Sequence, residues 1–319
     1  CPTNAKKSVN LNAIPLAMQF GAKVYTRCRA EKIVYRRTHV TEVLARFIDP
    51  VTRTRGPCVR VKTKAVIASC GTLHTPVLLG RSDIPNSSRQ LGRNLTLHPA
   101  SKVFGLFDEE VCGWKGIPQG YFSDTLVEEG IKLEGIFLPP AFTASTILLN
   151  GRAHREVMDH YKNLVVFGMM VSDTVRGMVV RGISGHSISI YNINKEDLPK
   201  YQRGLTHLAE CLFAAGAKKV FPGIHTLPVV TKEEGAGAIA TLKLRSKDLD
   251  LQAFHPLGTC RMGADPRDAV LDPNGRVYGL DNLFVADGSI FPTSLGVNPQ
   301  MTIMAAALKI ADHVNKEYL

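Results

Sequence analysis

A histidine, a carboxylate and a carboxamide occur together in one glycine-rich stretch of the sequence. His255 opens the run His-Pro-Leu-Gly-Thr-Cys-Arg-Met-Gly, Asp287 follows an apolar run, and Asn298 precedes a proline. A histidine titrates near neutral pH and can take the proton of a hydroxyl group. An asparagine amide can hold a substrate oxygen without competing as a base. These residues predict proton transfer on a small oxygen-bearing substrate.

Each of these residues also has a structural interpretation. His255 can be a fully hydrogen-bonded histidine of the core, and Asn298 can be a turn residue. His74 and His98 are expected to be structural. The stretch 235–240 matches the loose dinucleotide pattern Gly-x-Gly-x-x-Gly/Ala, but it follows Thr-Lys-Glu-Glu rather than an apolar strand. It therefore does not predict a dinucleotide site.

Two apolar runs near the glycines predict strands that end at a ligand site. The run 65–71 ends at Gly71, which is typical of a buried parallel strand that leads into a ligand crevice. The run 282–286 predicts a second strand, which ends at Asp287. Thr75 is suited to cap a helix with proline at its first position. Such a helix start attracts anions, although an ordinary strand-to-helix turn explains it equally well.

The remaining patterns divide the chain into three parts. Apolar spacing predicts helices at 10–20, 200–215 and 302–311. Strands are predicted at 22–26, 30–35, 42–48, 59–64, 103–107, 135–138, 165–171, 177–180 and 187–191. Because the strands after residue 103 follow one another without intervening helices, they indicate an antiparallel sheet. The sequence thus predicts an α/β part combined with an α+β domain.

Composition limits the classes of protein to consider. The chain has 319 residues, of which 45% are hydrophobic and 21% charged, as in ordinary globular proteins. No apolar run reaches the ~18 residues of a membrane span. The net charge of +11 can reflect a solvated basic face, a phosphate-bearing cofactor, an anionic membrane surface or nucleic acid. No nucleic-acid-binding motif supports the last of these.

The seven cysteines are widely spaced and include no Cys-x-x-Cys pair. This spacing argues against a disulfide framework and against a thiolate zinc site, so no metal is expected. Reduced and mostly buried thiols favour a reducing compartment. We therefore expect a cytoplasmic protein.

Several motifs resemble the glucose–methanol–choline (GMC) flavoprotein oxidoreductases. The similarity covers about 1–100 and 251–319 well, and 103–250 poorly. Its motifs are the runs at 1–8, 71–79, 91–99, 255–263, 277–280, 285–292 and 296–299. The first run and the His-Asn pair are nearest to the long-chain alcohol and sterol oxidase branch. The family's N-terminal Gly-x-Gly-x-x-Gly unit is absent and the chain begins with cysteine, so we expect a fragment of a longer protein.

The resemblance implies FAD as cofactor and assigns roles to individual residues. It implies that His255 is the catalytic acid/base and Asn298 its hydrogen-bonding partner. It also implies that Asp287 and Gly288 place their backbone against the ribityl–pyrophosphate part of FAD. The resemblance further aligns Ala30 with the position whose backbone meets the adenine, and it assigns Gly71 to the cofactor site. The positions that would line the isoalloxazine ring are Asn298, Pro299 and Gln300.

The resemblance also implies an architecture and an activity. An incomplete Rossmann-like FAD-binding domain would span 1–102 and 251–319, and a substrate domain built on an antiparallel sheet would span 103–250. The expected reaction is oxidation of a primary or secondary, lipophilic alcohol to an aldehyde or ketone, with oxygen or another electron acceptor. Peripheral membrane contact remains open, and nucleic acid is not expected as a partner. The alternative is a non-catalytic fragment or binding module that does not hold FAD.

Overall fold

A computed structural model of the protein describes residues 3–117, 119–183 and 185–318, so Cys1 and Pro2 of the first family-like motif lie outside it. The α-helices of the described residues are α1 (Ala13–Gln19), α2 (Thr75–Arg81), α3 (Pro140–Thr146), α4 (Gly151–Asp159), α5 (Leu198–Ala214), α6 (Gly237–Ala240) and α7 (Gln300–Tyr318). Short 3₁₀ turns occur at Val127–Glu129, Tyr161–Asn163, Ser246–Asp248 and Gly288–Ile290.

The strands of the described residues form four sheets. They are β1 (Cys28–Arg36), β2 (His39–Ile48), β3 (Arg55–Lys62), β4 (Val66–Ala68), β5 (Arg93–Leu95), β6 (Ala100–Leu106), β7 (Phe122–Ser123), β8 (Ile131–Gly135), β9 (Leu164–Val171), β10 (Gly177–Arg181), β11 (Ser187–Ile190), β12 (Lys219–Phe221), β13 (Val230–Thr231) and β14 (Leu283–Val285). The sheet orders are β1-β2-β3, β11-β10-β5, β13-β12-β6-β9-β8-β7 and β14-β4.

The parallel pair of β4 and β14 connects distant parts of the sequence. Leu283 is paired with Val66, and Val285 with Ala68. All three residues of β14 are buried, whereas in β4 only Ala68 is buried and Ile67 is 42% exposed. The predicted strands at 65–71 and 282–286 are therefore confirmed. Because the two strands run in the same direction, the segments that follow them emerge at the same edge.

The hairpin of β1 and β2 is tied to this pair through a buried side chain. Asn282 is fully buried, and its Oδ1 accepts from the backbone N–H of Val40 at 2.7 Å. Its Nδ2 donates to the carbonyl oxygens of Val40 at 2.9 Å and of Lys64 at 2.6 Å. An amide that bridges three segments in this way fixes where β14 begins and where Asp287 emerges.

The six-stranded sheet is antiparallel throughout, which confirms the sheet predicted after residue 103. Helix α5 covers one face, where Tyr201, Leu205 and Leu208 are buried against the sheet. The opposite face carries Lys102, Lys132 and Glu134. Part of this face packs against Ile147 and Val157 through Phe104, and the part around the charged residues faces the candidate site.

Five local predictions differ from the structure. Residues 22–26 form no strand, and the strand expected at 135–138 is β8, which ends at Gly135. The helix predicted at 302–311 extends over Gln300–Tyr318. Thr75 is the first residue of α2 rather than its cap, because its hydroxyl group is bonded elsewhere.

The fifth difference concerns the cysteines. Among the six described, only Cys112 and Cys260 are buried, whereas Cys58, Cys70 and Cys211 are exposed. The expectation of mostly buried thiols is therefore wrong.

In the same described ranges, no helix is long and apolar enough to cross a membrane.

Candidate active site

Asp287 holds the two strand ends together at the edge of the parallel pair. Its Oδ2 accepts from the backbone N–H of Gly71 at 2.9 Å and from the hydroxyl of Thr75 at 2.5 Å. Its Oδ1 accepts from the backbone N–H of Ser289 at 2.8 Å. The carboxylate is buried and its bonds are all internal, so this side chain shapes the turn rather than reaching out to a ligand.

Two glycines flank this carboxylate for different physical reasons. Gly71 has φ +80°, a conformation that side-chain-bearing residues rarely adopt, and a Cβ there would meet no atom within 4 Å. Its backbone therefore faces open space. At Gly288 a Cβ would stand 2.9 Å from the Thr72 hydroxyl oxygen and 3.1 Å from the Pro256 carbonyl oxygen. Gly288 thus allows the strand end to pack directly against the segment that carries His255.

Ala30 lies at a second crevice next to the same strand end. A cavity of about 420 Å³ is lined by Ala30, Cys70, His74 and the cationic side chains of Arg29 and Arg81. Cys70 is the neighbour of Gly71, so the predicted residues at 30 and 71 do lie close to one another. Guanidinium groups at the rim suit a phosphate-bearing ligand.

His255 projects from a segment without regular secondary structure. Its ring is half-buried, and its Nδ1 is a buried polar atom without a hydrogen-bond partner in the described part of the chain. Burial lowers the pKa of His255, and the neighbouring His98 ring lowers it further. Glu134 opposes this shift, and Lys132 adds to it. The ring is therefore neutral near pH 7 and can accept a proton.

His98 connects the two halves of the catalytic region. Its Nε2 accepts from the backbone N–H groups of Leu295 and Gly296, both at 2.9 Å. Because Nε2 accepts, the ring proton resides on Nδ1, which lies 3.4 Å from the carbonyl oxygen of His255. The two rings meet edge to face with centroids 5.8 Å apart. His98, expected to be structural, positions both His255 and the loop that leads to Asn298.

A carboxylate keeps the His98 segment in place. Asp173 accepts from the backbone N–H groups of Leu97 and His98, each at 3.1 Å, and from the Tyr191 hydroxyl at 2.8 Å. His98 itself has φ 47°, in the left-handed region. A non-glycine residue is held there only when its surroundings determine it, and Asp173 supplies those contacts.

Asn298 is held by an ion pair that the sequence did not indicate. Its Oδ1 accepts from Lys132 Nζ at 2.7 Å, and its Nδ2 donates to Glu134 Oε2 at 3.4 Å. Lys132 and Glu134 are themselves paired at 3.1 Å. The structure shows no hydrogen bond between Asn298 and His255, so the expected direct contact is absent. The amide still has one N–H free to donate to a substrate oxygen.

Lys132 and Glu134 escaped the sequence analysis because β8 was placed four residues too late. The available signal was the alternation Lys132-Leu133-Glu134, which puts both charges on one face of a strand and the leucine on the other. Leu133 is buried under α5 in the structure, as that alternation requires.

One cavity joins the residues predicted to be catalytic. It has a volume of about 730 Å³ and lies between the start of α7 and the face of the six-stranded sheet that carries Lys102 and Glu134. His255, Asn298, Pro299 and Gln300 all line it, together with Glu134 from the sheet. Because α7 begins at Gln300, the positive end of a 19-residue helix is directed to this cavity.

Much of the cavity wall is apolar. Its aromatic and aliphatic lining residues include Ile136, Phe137, Leu138, Phe142, Met170, Phe254 and Met304. In the described ranges no group of three or more His, Cys, Asp or Glu residues is arranged to hold a metal ion. The His255 ring can accept a proton, and the apolar wall can bind an apolar molecule. Removal of a hydride would also require an acceptor, which these side chains do not provide.

Sequence comparison places both ends of the chain in one family of proteins. The N-terminal profile of the family described as GMC oxidoreductase matches residues 1–100, and its C-terminal profile matches residues 188–307. An uncharacterized GMC-type oxidoreductase of Mycobacterium tuberculosis is 36% identical over 98% of this chain and 48% of its own length. A long-chain-alcohol oxidase of Arabidopsis thaliana is 28% identical over 98% of this chain and 44% of its own length. The chain thus spans about half the length of these curated relatives.

Solved structures of low sequence identity share the fold. A pyridoxine 4-oxidase superposes with a TM-score of 0.63 at 20% identity, covering 92% of this chain and 58% of that one. The formate oxidase of Aspergillus oryzae, a protein studied for its FAD modification, superposes with a TM-score of 0.63 at 16% identity. That match covers 91% of this chain and 60% of the other. The expected mixed α/β architecture with antiparallel sheets is therefore confirmed.

Proposed function

Because the chain belongs to the GMC oxidoreductase family, whose cofactor is FAD, we propose that it carries the alcohol-oxidising site of an FAD-dependent enzyme. The reaction is removal of a hydride and a proton from a primary or secondary, lipophilic alcohol, which gives an aldehyde or ketone. The observation that carries this proposal is that His255, whose pKa is lowered by burial, lines the same cavity as Asn298.

The residues present fit the cofactor. The backbone at Gly71 faces open space, and Arg29 and Arg81 line the same crevice as Ala30. Gly288 allows the end of β14 to pack closely against the segment that carries His255. FAD, when bound, supplies the hydride acceptor. We propose that Ala30, Gly71, Asp287 and Gly288 form its adenine and ribityl–pyrophosphate side. The isoalloxazine side would then be formed by Asn298, Pro299 and Gln300 at the start of α7.

The chain's own groups divide the remaining work. His255 takes the proton of the hydroxyl group, and the carbon loses a hydride, which carries two electrons. The alcohol thus loses one proton and one hydride and becomes a carbonyl compound. The free N–H of the Asn298 amide holds the alcohol oxygen. Lys132 and Glu134 keep that amide in one orientation, which limits the geometries that the substrate can adopt.

The apolar cavity wall supports a lipophilic alcohol, and the similarity to long-chain-alcohol oxidases supports the same class. In the same proposal, the domain division at 102/103 and 250/251 separates the FAD-binding parts from the substrate part. Either oxygen or another acceptor reoxidises the flavin, and comparison of aerobic turnover with dye-linked turnover distinguishes the two.

The proposal is tested by mixing the flavin-loaded protein anaerobically with a panel of straight-chain alcohols and alkanes. We expect bleaching of the visible flavin band by the alcohols and none by the alkanes. Absence of bleaching with every alcohol would refute the activity. A protein that retains no flavin after reconstitution with FAD would instead favour the alternative of a non-catalytic binding module.

Opposite effects on the pH profile are expected from the ion pair that holds Asn298. The negative charge of Glu134 raises the pKa of His255, and the positive charge of Lys132 lowers the same pKa. Since the base acts in its neutral form, Glu134→Gln should move the acid limb of kcat/KM to lower pH, and Lys132→Met should move it to higher pH. Both variants should also lose roughly tenfold at the plateau, because the amide is less well oriented.

A matched control is the exposed pair of Glu110 and Lys162, whose atoms lie 3.4 Å apart on the surface. Glu110→Gln removes the same charge without touching the cavity, so its profile should coincide with that of the wild type. Acid limbs that shift in the same direction in both cavity variants would rule out this electrostatic assignment.

A further inference from the structure

Lys102 is a buried cation in the wall of the active-site cavity without an anionic partner. The residue is only 9% exposed, and its Nζ stands 5.3 Å from the centroid of the Phe142 ring. In the part of the chain that the structure describes, its Nζ forms no hydrogen bond and no ion pair within 4 Å. Burial lowers the pKa of Lys102, and Asp250, at longer range, opposes that shift.

Lys132, the second lysine on the same face, has the partners that Lys102 lacks. Lys132 is bonded to both Glu134 and Asn298. Strand register places Lys102 and Glu134 at opposite ends of one row across the cavity floor, since Lys102 is paired with Gly168 and Gly168 with Glu134. Two strand spacings, about 10 Å, separate the ends of this row. Gly168 lies between them and leaves the floor open.

An ammonium in an apolar wall is costly unless an anion pairs with it. Cation–π contact with Phe142 compensates only part of that cost. Lys102 lines the cavity, and its Nζ lies over the ring of Phe142, which lines the same cavity. The missing partner is therefore expected to enter the cavity with the ligand.

We propose that Lys102 is a specificity-determining residue that binds a carboxylate on the far end of the substrate. On this view, which rests on the proposed function, the substrate is a hydroxy acid with an apolar body. Its carbinol lies at His255 and Asn298, its body lies against Phe137, Phe142 and Ile136, and its acidic group pairs with Lys102. The phosphates of FAD are the other possible source of an anion, and the experiment separates the two.

A binding measurement tests the site without requiring catalysis. Calorimetric titration of the flavin-loaded protein with octanoate and with octanol should show that Lys102→Met weakens octanoate roughly 10- to 100-fold, the effect of one buried charge-assisted hydrogen bond. Lys102→Arg should recover most of that affinity. Lys162→Met, which removes an exposed lysine on the surface, should leave octanoate binding unchanged.

A kinetic measurement tests the assignment of substrate class. The ratio of kcat/KM for ω-hydroxyoctanoate to kcat/KM for octanol should fall about 10- to 100-fold in Lys102→Met, and should be restored in Lys102→Arg. If no alcohol is oxidised but octanoate binding still depends on Lys102, the proposed function fails and the carboxylate site stands.

Three outcomes would overturn the inference. Octanoate affinity in Lys102→Met equal to that of the wild type removes the carboxylate site. A loss of flavin content with unchanged octanoate binding assigns the anion to the cofactor. Equal losses for octanol and octanoate, without recovery in Lys102→Arg, show that the lysine only packs the wall.

Discussion

His255→Ala is expected to slow reduction of the bound flavin by alcohol about 10²- to 10⁴-fold, the usual contribution of a positioned general base. His255 lines the cavity beside Asn298, and burial favours the neutral form of its ring, which can accept the proton. Flavin content should stay normal, because the assigned cofactor contacts lie elsewhere. Anaerobic stopped-flow measurement of the flavin band gives the rate directly.

The control for this variant is His160→Ala, an exposed histidine on the surface whose Nδ1 bonds only to the carbonyl of Glu156. It should reduce flavin at the wild-type rate. Added imidazole should partly restore the rate in His255→Ala, because it fills the space left by the ring. A His255→Ala rate within about threefold of wild type would reject the assignment of the base.

The pH dependence provides an independent check on the same residue. Burial and His98 hold the pKa of His255 below its ordinary value. The wild-type kcat/KM should therefore stay on its plateau through neutral pH and fall only on the acid side of the usual histidine range. In His255→Ala that acid limb should disappear, which loss of folding alone would not produce.

Asp287→Ala is expected to weaken FAD binding roughly ten- to a hundredfold. The substitution leaves three donors without their acceptor, namely the backbone N–H groups of Gly71 and Ser289 and the hydroxyl of Thr75. An unsatisfied buried donor costs about 1–3 kcal/mol, and about 1.4 kcal/mol corresponds to tenfold in affinity. The measurement is the dissociation constant for FAD, from the change in flavin fluorescence.

A pair of further variants interprets that result. Asp287→Asn keeps one of the two oxygen acceptors, which serves either Gly71 or Ser289 but not both, so its FAD affinity should lie between those of the wild type and Asp287→Ala. Asp312→Ala removes an exposed carboxylate of α7 whose only described partner is Lys316, and it should leave FAD affinity unchanged. An Asp287→Ala protein with wild-type FAD affinity would show that the turn at Gly71 does not contribute to the cofactor site.

The elements of this site that could be predicted from sequence are those with a strong local signal. Apolar runs that end at Gly71 and Asp287 indicated β4 and β14, and both strands are present. Their pairing joins residues more than two hundred positions apart, which a local pattern does not specify. Because this pairing brings Asp287 next to Thr75, the threonine hydroxyl donates a hydrogen bond to Asp287 and does not cap the helix as expected.

The charged residues of the six-stranded sheet could not be predicted as part of the candidate site. Lys102 and Lys132 lie on strands whose alternation is visible, but alternation alone does not distinguish a solvent-facing side from a cavity-facing one. The cavity exists because the segment at 254–255 and the start of α7 stand opposite that face. Only the tertiary fold brings Glu134 and Lys132 to Asn298.

A ring nitrogen that accepts two amide protons has no room for a proton of its own. Burial lowers the pKa of His98, and protonation at Nε2 would set a donor against the N–H groups of Leu295 and Gly296. Because the native ring resists the proton that an unfolded chain accepts, its stabilising contribution is full above the ordinary histidine pKa and is lost as pH falls. Protonation of His98 at low pH is therefore expected to weaken the contacts that position both the His255 segment and the loop before Asn298.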